Sequence, residues 1–225
     1  MRLPVRRNIG LGTGATAGLA IVLWLHAPGQ AHLRAPGPMN PGHAELACDA
    51  CHRPAPGTLR QQLQNAARDR LGLAAAPVDI GYRAVGNEEC MQCHVRPDDR
   101  HPVYRFREPR FAAARAELHP EHCASCHREH AGARATASAQ TACRTCHAEL
   151  VVERDPLDVP HRALLAAGRW DSCLGCHDFH GNHGLVAPTR LEQALPASAV
   201  RAYLRAGPSP YPPALVHAVS PEGTP

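Results

Sequence analysis

Cys123-Ala124-Ser125-Cys126-His127-Arg128-Glu129-His130, read beside Cys173-Leu174-Gly175-Cys176-His177-Asp178-Phe179-His180, decides how this chain is organised. Each stretch sets two thiols three residues apart, a histidine directly after the second, and another histidine three residues later. The pentapeptide Cys-x-x-Cys-His returns at Cys48–His52, Cys90–His94 and Cys143–His147. All 10 cysteines therefore fall in five copies, with none left over. That spacing is the attachment signal for c-type haem. On this reading Cys48, Cys51, Cys90, Cys93, Cys123, Cys126, Cys143, Cys146, Cys173 and Cys176 bond covalently to five porphyrins. His52, His94, His127, His147 and His177 each take one axial position on an iron.

Two other readings of the cysteines fail on the same detail. Zinc sites use paired Cys-x-x-Cys but need no histidine directly after each second thiol. A disulfide framework suits an exported chain and also leaves five adjacent histidines without a reason. Composition agrees with haem. Aromatics are 4% of the chain, and 22 Pro and 18 Gly interrupt regular structure, so the polypeptide brings little bulk for a core of its own. The expected fold is mostly irregular, with a few short α-helices wrapped around covalently bound haems and one N-terminal hydrophobic helix. The formal charge of +4 does not indicate nucleic acid. Each haem adds two propionates, and Arg2, Arg6 and Arg7 belong to a targeting segment, so the loaded protein is expected to be acidic.

Met1–Arg7 is a positive n-region, followed by the uncharged run Ile9–Leu25. Two readings compete for residues 1–31. One is a cleavable signal peptide with a small-x-small site at Gly29-Gln30-Ala31. The other is an uncleaved membrane anchor, at the short limit for a span, with Trp24 suited to the interface. Either way the arginines hold the N-terminus in the cytoplasm and send the rest to the periplasm. Arg6-Arg7 resembles a twin-Arg signal only superficially, because haem attachment to an unfolded chain fits ordinary secretion. Residues 32–42 read as a Pro/Gly/Ala linker, 43–183 as the pentahaem domain, and 184–225 as a Pro-rich C-terminal extension whose last part is solvated tail. Helices are expected at Thr58–Leu71, with a Leu59/Leu63/Leu71 stripe and a stop at Gly72, and at Arg110–Leu118 and His161–Ala167. A broken helix is expected around Pro196. The short interval from Cys123 to Cys143 suggests that haems three and four are close neighbours.

A haem that only carries electrons has both axial positions filled, usually by His or Met. Beyond the initiator the chain has only Met39 and Met91, and Met91 lies inside a motif, so five Met ligands are impossible. Outside the motifs stand His26, His32, His43, His101, His119, His122, His130, His161, His180, His183 and His217. His43, His101, His130, His161 and His180 are the expected second ligands. His43 precedes motif one closely, His101 follows motif two in a Pro-bounded turn, His130 and His180 are the repeat-matched pair, and His161 opens a helix ahead of motif five. His119 and His122 are rivals.

These residues, Cys-x-x-Cys-His with a further His three residues on and His upstream of the motif, resemble the class III (cytochrome c3-type) multihaem cytochromes over about residues 43–183. The resemblance implies bis-His, low-potential haems packed within electron-hopping distance and little secondary structure. The chain departs from that family in having five motifs at irregular intervals rather than the tetrahaem set. An anchored pentahaem chain is also similar to the cytochrome subunit of the quinol-oxidising alternative complex III, without any motif specific to it. The expected function is electron transfer from a membrane dehydrogenase or quinol-oxidising complex to a periplasmic acceptor, with the inner membrane engaged through residues 9–25. Two alternatives are a membrane-anchored quinol dehydrogenase subunit and a nitrite- or hydroxylamine-type reductase with one open haem. Reductases of that type often mark the open haem with Lys in place of a motif His, and this chain has no Lys.

Overall fold

The computed structural model describes residues 3–27, 29–30, 33, 35–73, 79–94, 96 and 99–213, with side chains from residue 8 onward. The readings on Arg2, Ala31, His32 and His217, and on the side chains of Arg6 and Arg7, lie outside them. Helix α1 spans Leu3–Leu25. It is followed by α2 Leu59–Arg70, α3 Asn87–Met91, α4 Ala112–Leu118 and α5 Cys123–Cys126. The remaining helices are α6 Ala139–His147, α7 His161–Ala166, α8 Cys173–Cys176 and α9 Ala197–Arg205. Among the described residues there is no strand, only an isolated bridge between Pro54 and Tyr82. The chain is helical and irregular, as expected.

In α1 the window Asn8–Leu25 has a mean hydropathy of 1.5, and none of it is buried. At about 1.5 Å per residue the helix is long enough to cross a bilayer, and a signal sequence has the same character. Its polar side chains are answered within the helix. Thr13 donates to the Ile9 carbonyl at 2.9 Å, Thr16 to Gly12 at 2.9 Å, and Nδ1 of His26 stands 2.8 Å from the Val22 carbonyl. This leaves those hydroxyls nothing to demand from a lipid environment.

Helix α2 starts where the sequence indicates. Thr58 and Gln61 form a capping box, and Gly72 leaves the helix at φ 69°. Its inward face differs from the expected leucine stripe. Leu59, Leu63 and Leu71 are exposed, and the buried residue is Gln62. The Gln62 amide donates to the Ala55 and Gly57 carbonyls at 3.1 Å, and its oxygen accepts from the Gly81 N–H at 3.0 Å. The loop presents backbone groups that need partners, so a hydrogen-bonding side chain takes the inner position. Helix α4 ends at His119 in the left-handed region (φ 48°), just before Pro120. Pro196 caps α9.

The flanking segments are less loose than composition implied. Asn40 is buried, and its amide joins residues 128–133. At the other end Arg134 donates to the carbonyls of Tyr203 and Gly207 at 2.8 and 2.7 Å and lies over the Tyr203 ring. The Tyr211 hydroxyl donates to the Leu174 carbonyl at 2.8 Å. Residues 184–213 are thus fastened to the polypeptide around motifs three and five.

The polypeptide has almost no core of its own. Among the described residues only Ala55, Phe106, Ala114, Leu157, Leu164, Trp170, Cys176 and Val200 are buried apolar residues, and no side chain is fully buried. The surface is 16474 Å², against about 10,000 Å² for a compact chain of this mass. Exposed α1 accounts for part of the excess.

Candidate haem-attachment and axial-ligand sites

The motif spacing has a direct structural consequence. On one helical turn, positions i, i+3 and i+4 share a face. Helix α6 carries motif four complete, so Cys143, Cys146 and His147 lie side by side. In the other four motifs the histidine N–H donates to the carbonyl of the first cysteine, at 2.9 Å for His52 and His127, 3.0 Å for His94 and 2.8 Å for His177. Each motif therefore closes a turn that turns both thiols and the imidazole to one side. All 10 cysteines are free thiols. Among the described residues no group of three or more His, Cys, Asp or Glu stands together as a metal cluster.

The histidines instead come together in twos. His52 faces His130 with ring centroids 6.2 Å apart, His94 faces His43 at 5.9 Å, and His127 faces His180 at 5.9 Å. His147 faces His101 at 6.2 Å and His177 faces His161 at 6.1 Å. Each pair contains one motif histidine and one of the five histidines expected as second ligands. A metal about 2.0 Å from the nitrogens of two opposed imidazoles sets their centroids roughly 6.3 Å apart. The five gaps lie just under that figure. The interplanar angles run from 26° to 90°, and the twist between two axial rings is free to take any such value.

Four of the pairs join distant parts of the chain. Motif one meets the histidine after motif three, motif two the one ahead of motif one, motif three the one after motif five, and motif four the one after motif two. Only the His177–His161 pair is local. The repeat-matched histidines do not serve their own motifs.

Each second histidine also has its other ring nitrogen engaged. Nδ1 of His43 stands 2.8 Å from Glu129, that of His161 2.9 Å from Asp155, and that of His180 3.1 Å from Asp99. Nδ1 of His101 and His130 stand 2.6 and 3.2 Å from the carbonyls of Phe179 and Gly37. At His43, His101, His130 and His161 such contacts favour the tautomer with Nε2 unprotonated and orient the ring, as ligating histidines require. Glu129, Asp155 and Asp99 were not foreseen from sequence. The one available signal was Asp155 in a Pro-bounded turn shortly before His161. Hydrogen bonds from backbone N–H groups and from the paired histidine hold Glu129 and Asp155 below the usual carboxylate range, against a desolvation that acts the other way. Burial lowers His147 and His177, each reinforced by its facing histidine, and burial with Arg96 pushes His180 down to about 4.

The rivals are placed elsewhere. His119 and His122 are mostly exposed beside Glu121. His183 is half-buried, with Nδ1 3.1 Å from Asp178 and its ring 4.6 Å from the Tyr211 ring. His26 caps α1.

A cavity of about 900 Å³ reaches both the His147–His101 and the His177–His161 pair. Its walls include Phe106, Phe111, Leu157, Leu164, Trp170 and Phe179, and the cysteines of motifs four and five. That is the large end of the range for ligand pockets, apolar with a few convergent polar groups. The first thiols of neighbouring motifs also act on one another, Cys90 with Cys123 and Cys143 with Cys173, which raises the first of each pair and lowers the second.

No family model matches the chain, and no curated protein or solved structure is significantly similar to it.

Proposed function

We propose that this chain is a pentahaem c-type cytochrome that relays electrons in the periplasm between a membrane donor and a periplasmic acceptor. The observation that carries the reading is the one-to-one pairing of five motif histidines with five others at the spacing of two imidazoles on one metal. The residues fit the group. Each site offers two thiols and a histidine on one side and a second, hydrogen-bonded histidine opposite, and the missing core is what five porphyrins supply. When bound, haem supplies one-electron redox chemistry at a potential set by axial ligands, burial and local charge. The chain's part is to fill both axial positions, hold the Nδ1 contacts and keep successive attachment points adjacent.

Pairing at every motif favours a relay over a reductase, because an open iron needs one motif histidine without a facing ligand. The quinol dehydrogenase alternative has one observation in its favour. The segment following α1 is bound directly to the first two pairs, through Gly37 on His130 and through His43 itself. A retained anchor would tether those motifs near the membrane. Intact mass with low-temperature EPR on the oxidised protein tests the proposal. Five haem adducts, all low-spin, are expected. One high-spin centre turns the reading toward the reductase, and fewer than five adducts refutes it. A membrane fraction stable to high-salt washing separates the anchored form from a cleaved, soluble one.

A further inference from the structure

Arg96 follows motif two in sequence, but its side chain lies at motif three. The guanidinium is nearly buried, at 12% exposure. Its Nη1 stands 3.3 Å from Oδ2 of Asp99, and 2.6 and 3.0 Å from Nδ1 and Nε2 of His180. Its charge also acts on the Cys123 thiol. Its Nε is buried without any hydrogen-bond partner. Two of these neighbours, His180 facing His127 and the thiol of Cys123, belong to the motif-three site.

The His180 ring cannot serve all its neighbours at once. A neutral imidazole has one N–H and one lone pair. When Nδ1–H donates to Asp99, the Nε2 lone pair accepts from Arg96. That lone pair is the one a metal facing His127 must take. Filling the position releases Arg96 from His180 and leaves guanidinium donors open where water is scarce. Asp99 already takes three donors, with Oδ1 receiving the His101 N–H at 2.9 Å and Nδ1 of His180 at 3.1 Å and Oδ2 facing Nη1 of Arg96, so it has at most one acceptor site for the rest of the guanidinium. A buried guanidinium with open donors calls for an anion, and its planar fork matches a carboxylate.

Resting on the haem reading of motif three, we propose that Arg96 binds a propionate carboxylate of the group attached at Cys123 and Cys126 and raises the reduction potential of that centre alone. A fixed cation beside a centre favours the state carrying one more electron. Removing it leaves the carboxylate uncompensated, and both effects lower the potential. Lysine keeps the charge and loses the fork.

Arg96→Gln and Arg96→Lys are made in the full-length holoprotein. Intact mass and peptide mapping count and place the adducts, and anaerobic potentiometric titration followed by EPR resolves the centres. Expected are five adducts throughout, one transition moved to lower potential in R96Q, the same transition moved less in R96K, and four unchanged. Loss of the adduct at Cys123 and Cys126 in R96Q, with R96K keeping it, supports the same role. Five adducts with five unchanged potentials in R96Q overturns the proposal, as does a shift or loss at any other motif. A wild-type chain without an adduct on Cys123 fails at the level of the haem reading, and mass tells that failure apart.

Discussion

Changing Asn40 to Ala isolates the contact that binds the segment after α1 to the rest of the chain. Asn40 is buried, and its side chain donates to the Arg128 carbonyl at 3.0 Å and accepts from the N–H groups of Ala131 and Ala133 at 3.2 and 3.3 Å. The backbone bond from Asn40 N–H to Glu129 at 2.7 Å survives the change. Three hydrogen bonds at about 1 kcal/mol each put the expected loss of stability near ~3 kcal/mol, since their partners remain partly buried and unpaired. The effect is not confined to stability. Gly37 contacts Nδ1 of His130 and His43 contacts Glu129, so the same segment orients the histidines facing His52 and His94. Denaturant unfolding of the holoprotein gives the first quantity, and the high-spin fraction by EPR gives the second. The variant is expected to lose that stability and to gain high-spin signal from two of five centres. A loss under about 1 kcal/mol with all centres still low-spin refutes the argument, because one deleted bond would already account for it.

Replacing His161 by Met should raise one of five midpoint potentials, since Met ligation favours the reduced iron; a titration unchanged from wild type removes His161 as a partner of His177. His119→Ala, at an exposed rival, should leave all five potentials where they are. Gly175→Ala should cost roughly 1–3 kcal/mol, because an added Cβ meets the Leu195 carbonyl at 2.6 Å and the Leu195 N–H to Gly175 bond at 3.0 Å holds that backbone in place. Unaltered thermal unfolding of G175A means that motif five and the 190s are not packed this tightly.

Much of the candidate site was legible in the chain because it is local. A thiol at i, a thiol at i+3 and a histidine at i+4 need only one turn to face together, and each motif makes that turn. Thr58 and Gly72 bound α2, Pro196 caps α9 and Gly168 follows α7, all by rules that act within a few residues. The leucines of α2 misled, because amphipathic spacing says which residues share a face and not which face turns inward. Gln62 won that position by satisfying loop carbonyls brought to it from Ala55 and Gly57.

Sequence alone determined the five motifs, the ten thiols, the surplus of histidine over methionine and a short set of candidates that holds the five histidines facing the motifs. Which histidine faces which motif was decided only in three dimensions. Four of the five pairs close across long stretches of irregular chain, and neither chain interval nor repeat register carries that information. The same holds for Glu129, Asp155 and Asp99 behind the rings and for Arg96 at motif three. Their roles depend on burial and approach within about 3 Å, which only the folded chain supplies.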